Sequence, residues 1–258
     1  MGMGMGAALA TFAFLGGMIA GSFVSVVAYR VPRGESIVGP RSQCPDCGST
    51  IAAYDNVPVV SWLMLRGHCR NCHEPISARY PLIELGLGAL FAAAAVVLRG
   101  DPAELALGFA LLATLAAITL TDLERRVIPN AILAVSALAA IAITVAMDPS
   151  SLPERVIAAA GAGGFLLLAA VAYPKGMGMG DVKLAAVIGL YLGRAVAPAM
   201  LIALAVGALV GIAMMLRDGA GARKRAVPFG PFLALGAVVG LLAGNSILDW
   251  YLDTFLGG

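Results

Sequence analysis

Charge is scarce in this chain. Of 258 residues only 12% are Asp, Glu, Lys or Arg, while 60% are hydrophobic; a soluble domain carries about 25% charged residues. That deficit excludes an ordinary soluble globular protein and points to a polytopic membrane protein. Histidine is scarcer still, with two residues, and no H-E-x-x-H run exists, which removes the zinc-metallopeptidase pattern. No G-x-S-x-G elbow is present either, and no glycine-rich dinucleotide fingerprint of Rossmann type. The net charge of +2 gives no reason to expect a nucleic-acid partner. The leader Met-Gly-Met-Gly-Met-Gly lacks Lys and Arg, and the apolar run 7–29 is too long for a signal-peptide core. It reads as a first transmembrane helix that is retained.

What is present is a series of apolar runs, roughly 7–29, 81–98, 103–121, 130–147, 155–173, 182–193, 197–216 and 228–248. A membrane-spanning helix needs about 20 residues, so about eight transmembrane helices in an all-α fold are expected. The sixth run is short and reads as tilted, broken or buried against its neighbours. Helices two to eight are rich in Ala and Gly, which suits close packing in lipid. Residues 30–80 interrupt the pattern as a small polar insertion. The expected organisation is therefore a first helix over 1–29, an extramembrane domain over 30–80, and a helical bundle over 81–258.

If that domain and the links 122–129, 174–183 and 217–227 share one side, that side holds 14 of the 17 Lys and Arg. The positive-inside rule makes it cytoplasmic and places the N-terminus outside. Asp122 and Asp181 are two crossings apart, so they emerge on the same cytoplasmic face as the domain.

All four cysteines lie in the insertion, as Cys44-Pro-Asp-Cys47 and Cys69-Arg-Asn-Cys72, with 21 residues between the pairs. Two C-x2-C pairs at this spacing form a tetrahedral soft-ligand set for a structural Zn2+ in a zinc-ribbon-like domain. A domain of about 50 residues is hard to fold without such a staple. Two pairs of free structural cysteines are the bland alternative. His68 and His73 adjoin the pairs and read as surface residues.

Among the carboxylates, those at predicted cytoplasmic helix ends stand out: Asp122, Glu124, Asp181 and Glu84. Asp122 alone reads either as an interfacial charge balanced by Arg125 and Arg126 or as an acid in a site. Asp181 alone reads either as a helix N-cap or as an acid beside which Gly178 and Gly180 leave room for an extended substrate backbone. Together, two neighbouring carboxylates can share a proton. One then acts as base on water and the other as acid toward a scissile amide.

Several blocks carry a resemblance over nearly the whole chain: Gly21-Ser-Phe-Val-Ser-Val-Val-Ala-Tyr-Arg-Val-Pro32, the cysteine pairs enclosing Tyr54-Asp-Asn-Val-Pro-Val-Val-Ser-Trp62 and Leu65-Arg-Gly-His-Cys69, Pro75-Ile-Ser-Ala-Arg-Tyr-Pro-Leu-Ile-Glu84, Asp122 with Ile128-Pro129, and Gly178-Met-Gly-Asp-Val-Lys183. With these the chain resembles the type IV prepilin peptidases, membrane aspartic proteases of the G-x-G-D type. Ser25 stands where Asn is usual and Asn130 where Asp is frequent. The resemblance implies cleavage of the basic leader from prepilins or pseudopilins at the cytoplasmic face of the bacterial inner membrane, with Asp122 and Asp181 as the catalytic pair. Gly178, Gly180 and Lys183 would support them. It also implies N-methylation of the new terminal residue with S-adenosylmethionine, for which Arg66, Gly67, Arg79 and Glu84 are candidates. Glu84 could equally be an interfacial carboxylate paired with Arg79. The rival from another class is a non-enzymatic scaffold or transporter that uses the zinc ribbon for docking.

Overall fold

The computed structural model describes residues 2–173, 177–218 and 228–255. Lys175 and the basic run Arg223-Lys224-Arg225, four of the cations counted above on the positive side, lie outside them, as does Gly176. The chain forms α1 (Gly2–Arg30), a short α2 (Val60–Met64), α3 (Arg79–Val97), α4 (Pro102–Arg125), α5 (Asn130–Met147), α6 (Leu152–Ala172), α7 (Met179–Leu192), α8 (Val196–Asp218) and α9 (Gly230–Phe255). Among the described residues there is no β-strand, so the all-α membrane architecture holds. Two compact units divide at Arg99.

Unit 1 is built on the α1–α3 pair and the cysteine-bearing loop between them. The helices meet where side chains are absent. A Cβ on Gly17 would sit 2.8 Å from the Gly88 Cα, and one on Gly21 2.8 Å from the Glu84 Cα. Small residues one turn apart bring backbones close when lipid supplies no hydrophobic drive between helices. Gly17, Gly21 and Gly88 therefore fix the level at which Glu84 enters this interface.

Unit 2 packs six helices by the same means. Gly163 abuts Ala186 and Gly189 abuts Ala159 between α6 and α7, while Gly236 of α9 lies on Ala199 of α8 and Gly244 on Ala195 in the turn just before α8. Among the described residues seven stretches are long and apolar enough to cross a membrane, and the longest of them is residues 179–217. That stretch is not one straight rod. It breaks at Gly193, with φ 52° and ψ −134°, and a Cβ there would also lie 2.6 Å from Glu154 Oε1. Backbone angle and space both demand glycine at this turn. Contacts on either side show that the chain reverses: Tyr191 meets Arg155 at the start of α6, Ala195 meets Gly244 late in α9, and Gly207 meets Phe229 at the beginning of α9. All eight predicted spans thus appear as helices. The sixth has 14 residues and begins at Met179 rather than Val182.

The reversals give unit 2 two distinct ends. One gathers Asp122, Ile128, Asn130, Gly180, Lys183 and Gly230. The other gathers Glu104, Arg155, the Tyr191 carbonyl, Arg194, Asn245 and Asp249.

Candidate active site and metal centre

Asp122 lies in the last turn of α4 and is 5% exposed. It sits inside the helix, not beyond its end, because α4 continues to Arg125 and closes on Arg126 in the left-handed conformation, φ 55°. Its Oδ2 accepts the Gly230 backbone N–H at 3.0 Å. This contact spans 108 residues and explains Gly230: a Cβ there would fall 2.6 Å from Asp122 Oδ2. Reasoning from the sequence missed Gly230. The Gly230-Pro231 pair that opens α9 was the available signal, yet a backbone donor leaves no mark on side-chain chemistry.

Asp181 is 9% exposed and occupies the third position of α7, with Gly178 as N-cap. Its Oδ2 accepts the Gly178 N–H at 3.2 Å. The carboxylate thus reaches back over the first turn instead of being the N-cap itself, and it sits where the helix dipole favours negative charge. Gly180 is needed for approach, since a Cβ there would stand 3.0 Å from Ile128 Cβ. The Gly178-x-Gly180 segment and Ile128 after α4 are thereby pressed together, which brings the start of α7 to the end of the bundle that holds Asp122. Neither aspartate forms an ion pair among the described residues. Lys183 is exposed and donates to Asn130 Oδ1 at 2.9 Å, not to either acid. Glu124 is exposed.

At the other end, Arg155 is 4% exposed, ion-paired with Glu104 and bonded to the Tyr191 carbonyl and to Ser151 Oγ. Tyr191 continues this polar thread into the bundle: its hydroxyl donates to the Ser136 carbonyl at 2.8 Å, and Ser136 Oγ lies 2.8 Å from Thr114 Oγ1. Sequence reading had placed Arg155 among the link charges. Folding turns it inward because α6 begins earlier, at Leu152.

In unit 1 the four cysteine sulfurs lie within 4.8 Å of one another, with Cys44 and Cys72 Sγ 3.7 Å apart, and none is in a disulfide. These cysteines can hold a metal ion. Each pair sits in the same turn. Cys44 N–H donates to the Ser49 carbonyl and Gly48 N–H to that of Cys44; Cys69 N–H donates to the Glu74 carbonyl and His73 N–H to that of Cys69. His73, φ 60°, therefore fills the place that Gly48, φ 69°, fills in the first turn. It is a turn residue and stands outside the ligand cluster, as does His68. Hydrogen bonds from the Ser49 side chain and backbone hold the Cys47 thiol down at about 6, and those from Cys72 and Asn71 lower Cys69. Cys72 goes the other way: despite a hydrogen bond from the Glu74 backbone that lowers it, it is pushed up to about 12 by desolvation and by the neighbouring Cys69, Cys47 and Cys44 sulfurs, so the four thiols do not all ionise together without a cation among them.

The remaining candidates also lie in unit 1. Arg66, φ 53°, and Gly67, φ 71°, form the left-handed exit from α2, where Gly67 passes against the Trp62 ring. Arg79 opens α3 and is exposed. Glu84 is buried at 7% exposure and accepts the Val59 N–H at 2.7 Å.

Comparison with known proteins agrees with this division. A model described as the bacterial peptidase A24 N-terminal domain matches residues 15–98, and one for the type IV leader peptidase family matches residues 109–215. Proteins named prepilin leader peptidase/N-methyltransferase are similar over most of this chain. The one from Aeromonas hydrophila is 35% identical over 94% of this chain and 93% of its own length. The one from Bacillus subtilis is 37% identical over 95% and 98%. No solved structure matches.

Proposed function

The chain belongs to the type IV leader peptidase family, and on that premise we propose that it cleaves the basic leader from prepilins or pseudopilins and N-methylates the residue so exposed. The observation that carries the peptidase half is the placement of Asp122 and Asp181: two buried carboxylates at the same end of unit 2, neither of them in an ion pair among the described residues. Two such groups favour a state that shares one proton.

The ionised member takes a proton from water as the water oxygen bonds to the scissile carbonyl carbon, and the protonated member donates to the carbonyl oxygen. Collapse of the tetrahedral intermediate breaks the C–N bond and delivers a proton to the leaving amine. Both carboxyls return to their starting charge. The Gly230 and Gly178 N–H groups fix one oxygen of each acid, leaving the other for water and substrate. Gly178 offers an exposed, side-chain-free backbone next to Asp181 along which a leader can lie extended. Lys183 and Asn130 tie α7 to the start of α5 and support that position.

Cys44, Cys47, Cys69 and Cys72 suit a structural Zn2+, because four thiolates fill a tetrahedron and leave no open position for catalysis. The ion would staple the loop of unit 1. S-adenosylmethionine is the methyl donor in this reading. The inner membrane is its setting, with the aspartates and the cysteine domain on the cytoplasmic side as the distribution of Lys and Arg favours. The family assignment does not favour a scaffold or transporter.

The test is cleavage of a prepilin by the purified chain, with mass spectrometry of the product. The leader is expected to be lost and the new terminus to gain one methyl group. Asp122→Asn or Asp181→Asn that inserts normally yet cuts at the wild-type rate would refute the dyad. Metal analysis should find one zinc per chain, absent after Cys→Ser at all four positions.

A further inference from the structure

Residues 56–65 carry no charged side chain, although they lie in the polar insertion that the sequence places outside the membrane. They contain α2, and its polarity is reversed for a helix on a water-facing domain. Its polar residue points inward: Ser61 is buried, and its hydroxyl donates to the Tyr54 carbonyl and accepts the Val57 N–H, each at 3.0 Å. Trp62 lays its ring on Gly67 and donates from Nε1 to the Ile76 carbonyl at 2.9 Å. The apolar residues that share the other face point outward, with Val60 49%, Leu63 61% and Met64 77% exposed. Single exposed apolar side chains are ordinary, but a contiguous apolar face marks an interaction surface. Its depth says what covers it. Val59, the N-cap of α2, bonds through its N–H to Glu84. Glu84 lies five residues beyond Arg79, about 7.5 Å along the axis of the apolar helix α3. Next to it Tyr80, Leu82 and Leu85 are exposed, as side chains that face lipid are. A second segment descends in the same way. A groove of about 680 Å³ is lined by Ile19, Phe23 and Val26 of α1 and by Ile37, Val38 and Val57 of the insertion. Ile19 precedes Arg30, the last residue of α1, by 11 positions, about 16 Å of helix. The loop tip at Val38, 93% exposed, therefore stands beside a spanning helix rather than clear of it. The charged residues of this lining are Arg30 and Arg41, both cationic.

We propose that the insertion is wedged into the adjacent leaflet of the bilayer, with Val60, Leu63 and Met64 of α2 and the Ile37-Val38 tip buried among phospholipid acyl chains. An interfacial helix sinks its apolar face about 5–10 Å into the boundary between headgroups and chains, and that is the level at which Glu84 holds α2. Arg41 and Arg66, both exposed, flank the two apolar edges and suit the phosphates of the headgroups above them. The cysteine turns differ. Residues 44–50 and 69–75 contain no Val, Ile, Leu, Met, Phe, Tyr or Trp, so nothing draws them into lipid. One edge of the insertion is thus held in the membrane while its cysteine cluster stays in water. The contact between Val59 and Glu84 couples the two, because it ties the start of the wedge to a spanning helix.

The chain has two tryptophans, and one of them is on α2, so Trp250→Phe leaves Trp62 as the sole indole emitter. The full chain carrying that change is reconstituted into phosphatidylcholine–phosphatidylglycerol vesicles with and without bromine on the acyl chains. Trp62 emission should be quenched by the brominated lipid. Leu63→Glu with Met64→Glu puts two carboxylates on the outer face without touching the Trp62 contacts. It should abolish most of the quenching in vesicles and leave the emission maximum in detergent unchanged. Photoreactive benzoylphenylalanine in place of Met64 should attach to lipid, and the same group in place of Asn71 on the second cysteine turn should not. Should the double variant fail to insert, the crosslinking pair decides alone. Equal emission in the two kinds of vesicle would overturn the wedge. So would an adduct at position 64 with a second copy of the chain, the absence of any adduct there, or lipid attached equally at positions 64 and 71.

Discussion

The two ends of unit 2 each bury ionisable side chains, and they do so in opposite ways. At one end Arg155 is matched by Glu104, by Ser151 and by the Tyr191 carbonyl. At the other, Asp122 and Asp181 have the same sign and receive one backbone N–H apiece. A buried charge that is fully partnered fixes helices in place and has no capacity left for chemistry. A pair of like charges, each half satisfied, keeps lone pairs and a proton available. The first arrangement is expected to fail by unfolding when altered, the second by losing rate.

Five substitutions can break or sharpen that contrast. Asp122→Asn or Asp181→Asn should lower cleavage by between about 10² and 10⁴, the usual worth of a positioned acid or base, with thermal stability kept or raised because like charges are relieved. Gly230→Ala pushes a methyl group toward Asp122 Oδ2, and a displacement of about 1 Å at a catalytic group can cost on the order of 10²-fold in rate; kcat should fall with little change in KM. Arg155→Met should leave cleavage per folded molecule intact and instead lower stability. Removing one member of a buried pair costs about 3–5 kcal/mol, and the partial exposure of Glu104 places this case at the low end. Tyr191→Phe removes the hydroxyl from the Ser136 contacts and should cost about 1 kcal/mol, read as a small drop in Tm at unchanged rate. If Arg155→Met proved as damaging to kcat as Asp122→Asn while the fold survived, the division of labour would be wrong.

Hydropathy alone placed the helices well. The run predicted at 130–147 matches α5 residue for residue, and the others shift by a few residues at their ends. The reason is physical: in lipid an apolar run of the right length has little choice but to be helical. The cysteine cluster was equally legible, since C-x2-C spacing is set by the turn that each pair must make. Asp122 and Asp181 could be singled out because a carboxylate at such a position is costly. The partners of those acids were not legible. Gly230 is 108 positions from Asp122 and acts through its backbone, and Glu84 meets Val59 through a backbone N–H as well. Glu104 and Arg155 fell at the first residues of predicted spans, and sequence shows where a helix begins but not which way its first turn faces.

The tight reversal at Gly193 has a consequence for depth. A helix of 14 residues, as α7 is, measures about 21 Å, whereas the hydrocarbon layer of a bilayer is about 30 Å thick. Arg194 at the Gly193 end bonds to Asp249 and Asn245 and belongs near the headgroups. Asp181, at the opposite end, then falls about 9 Å short of the far headgroups. The hydrolytic centre would lie in a dimple of the membrane, where the bilayer thins to meet a short helix and water descends with it. A substrate that is itself a membrane helix would need only to unwind its polar head into that dimple, with the rest of its length still in lipid.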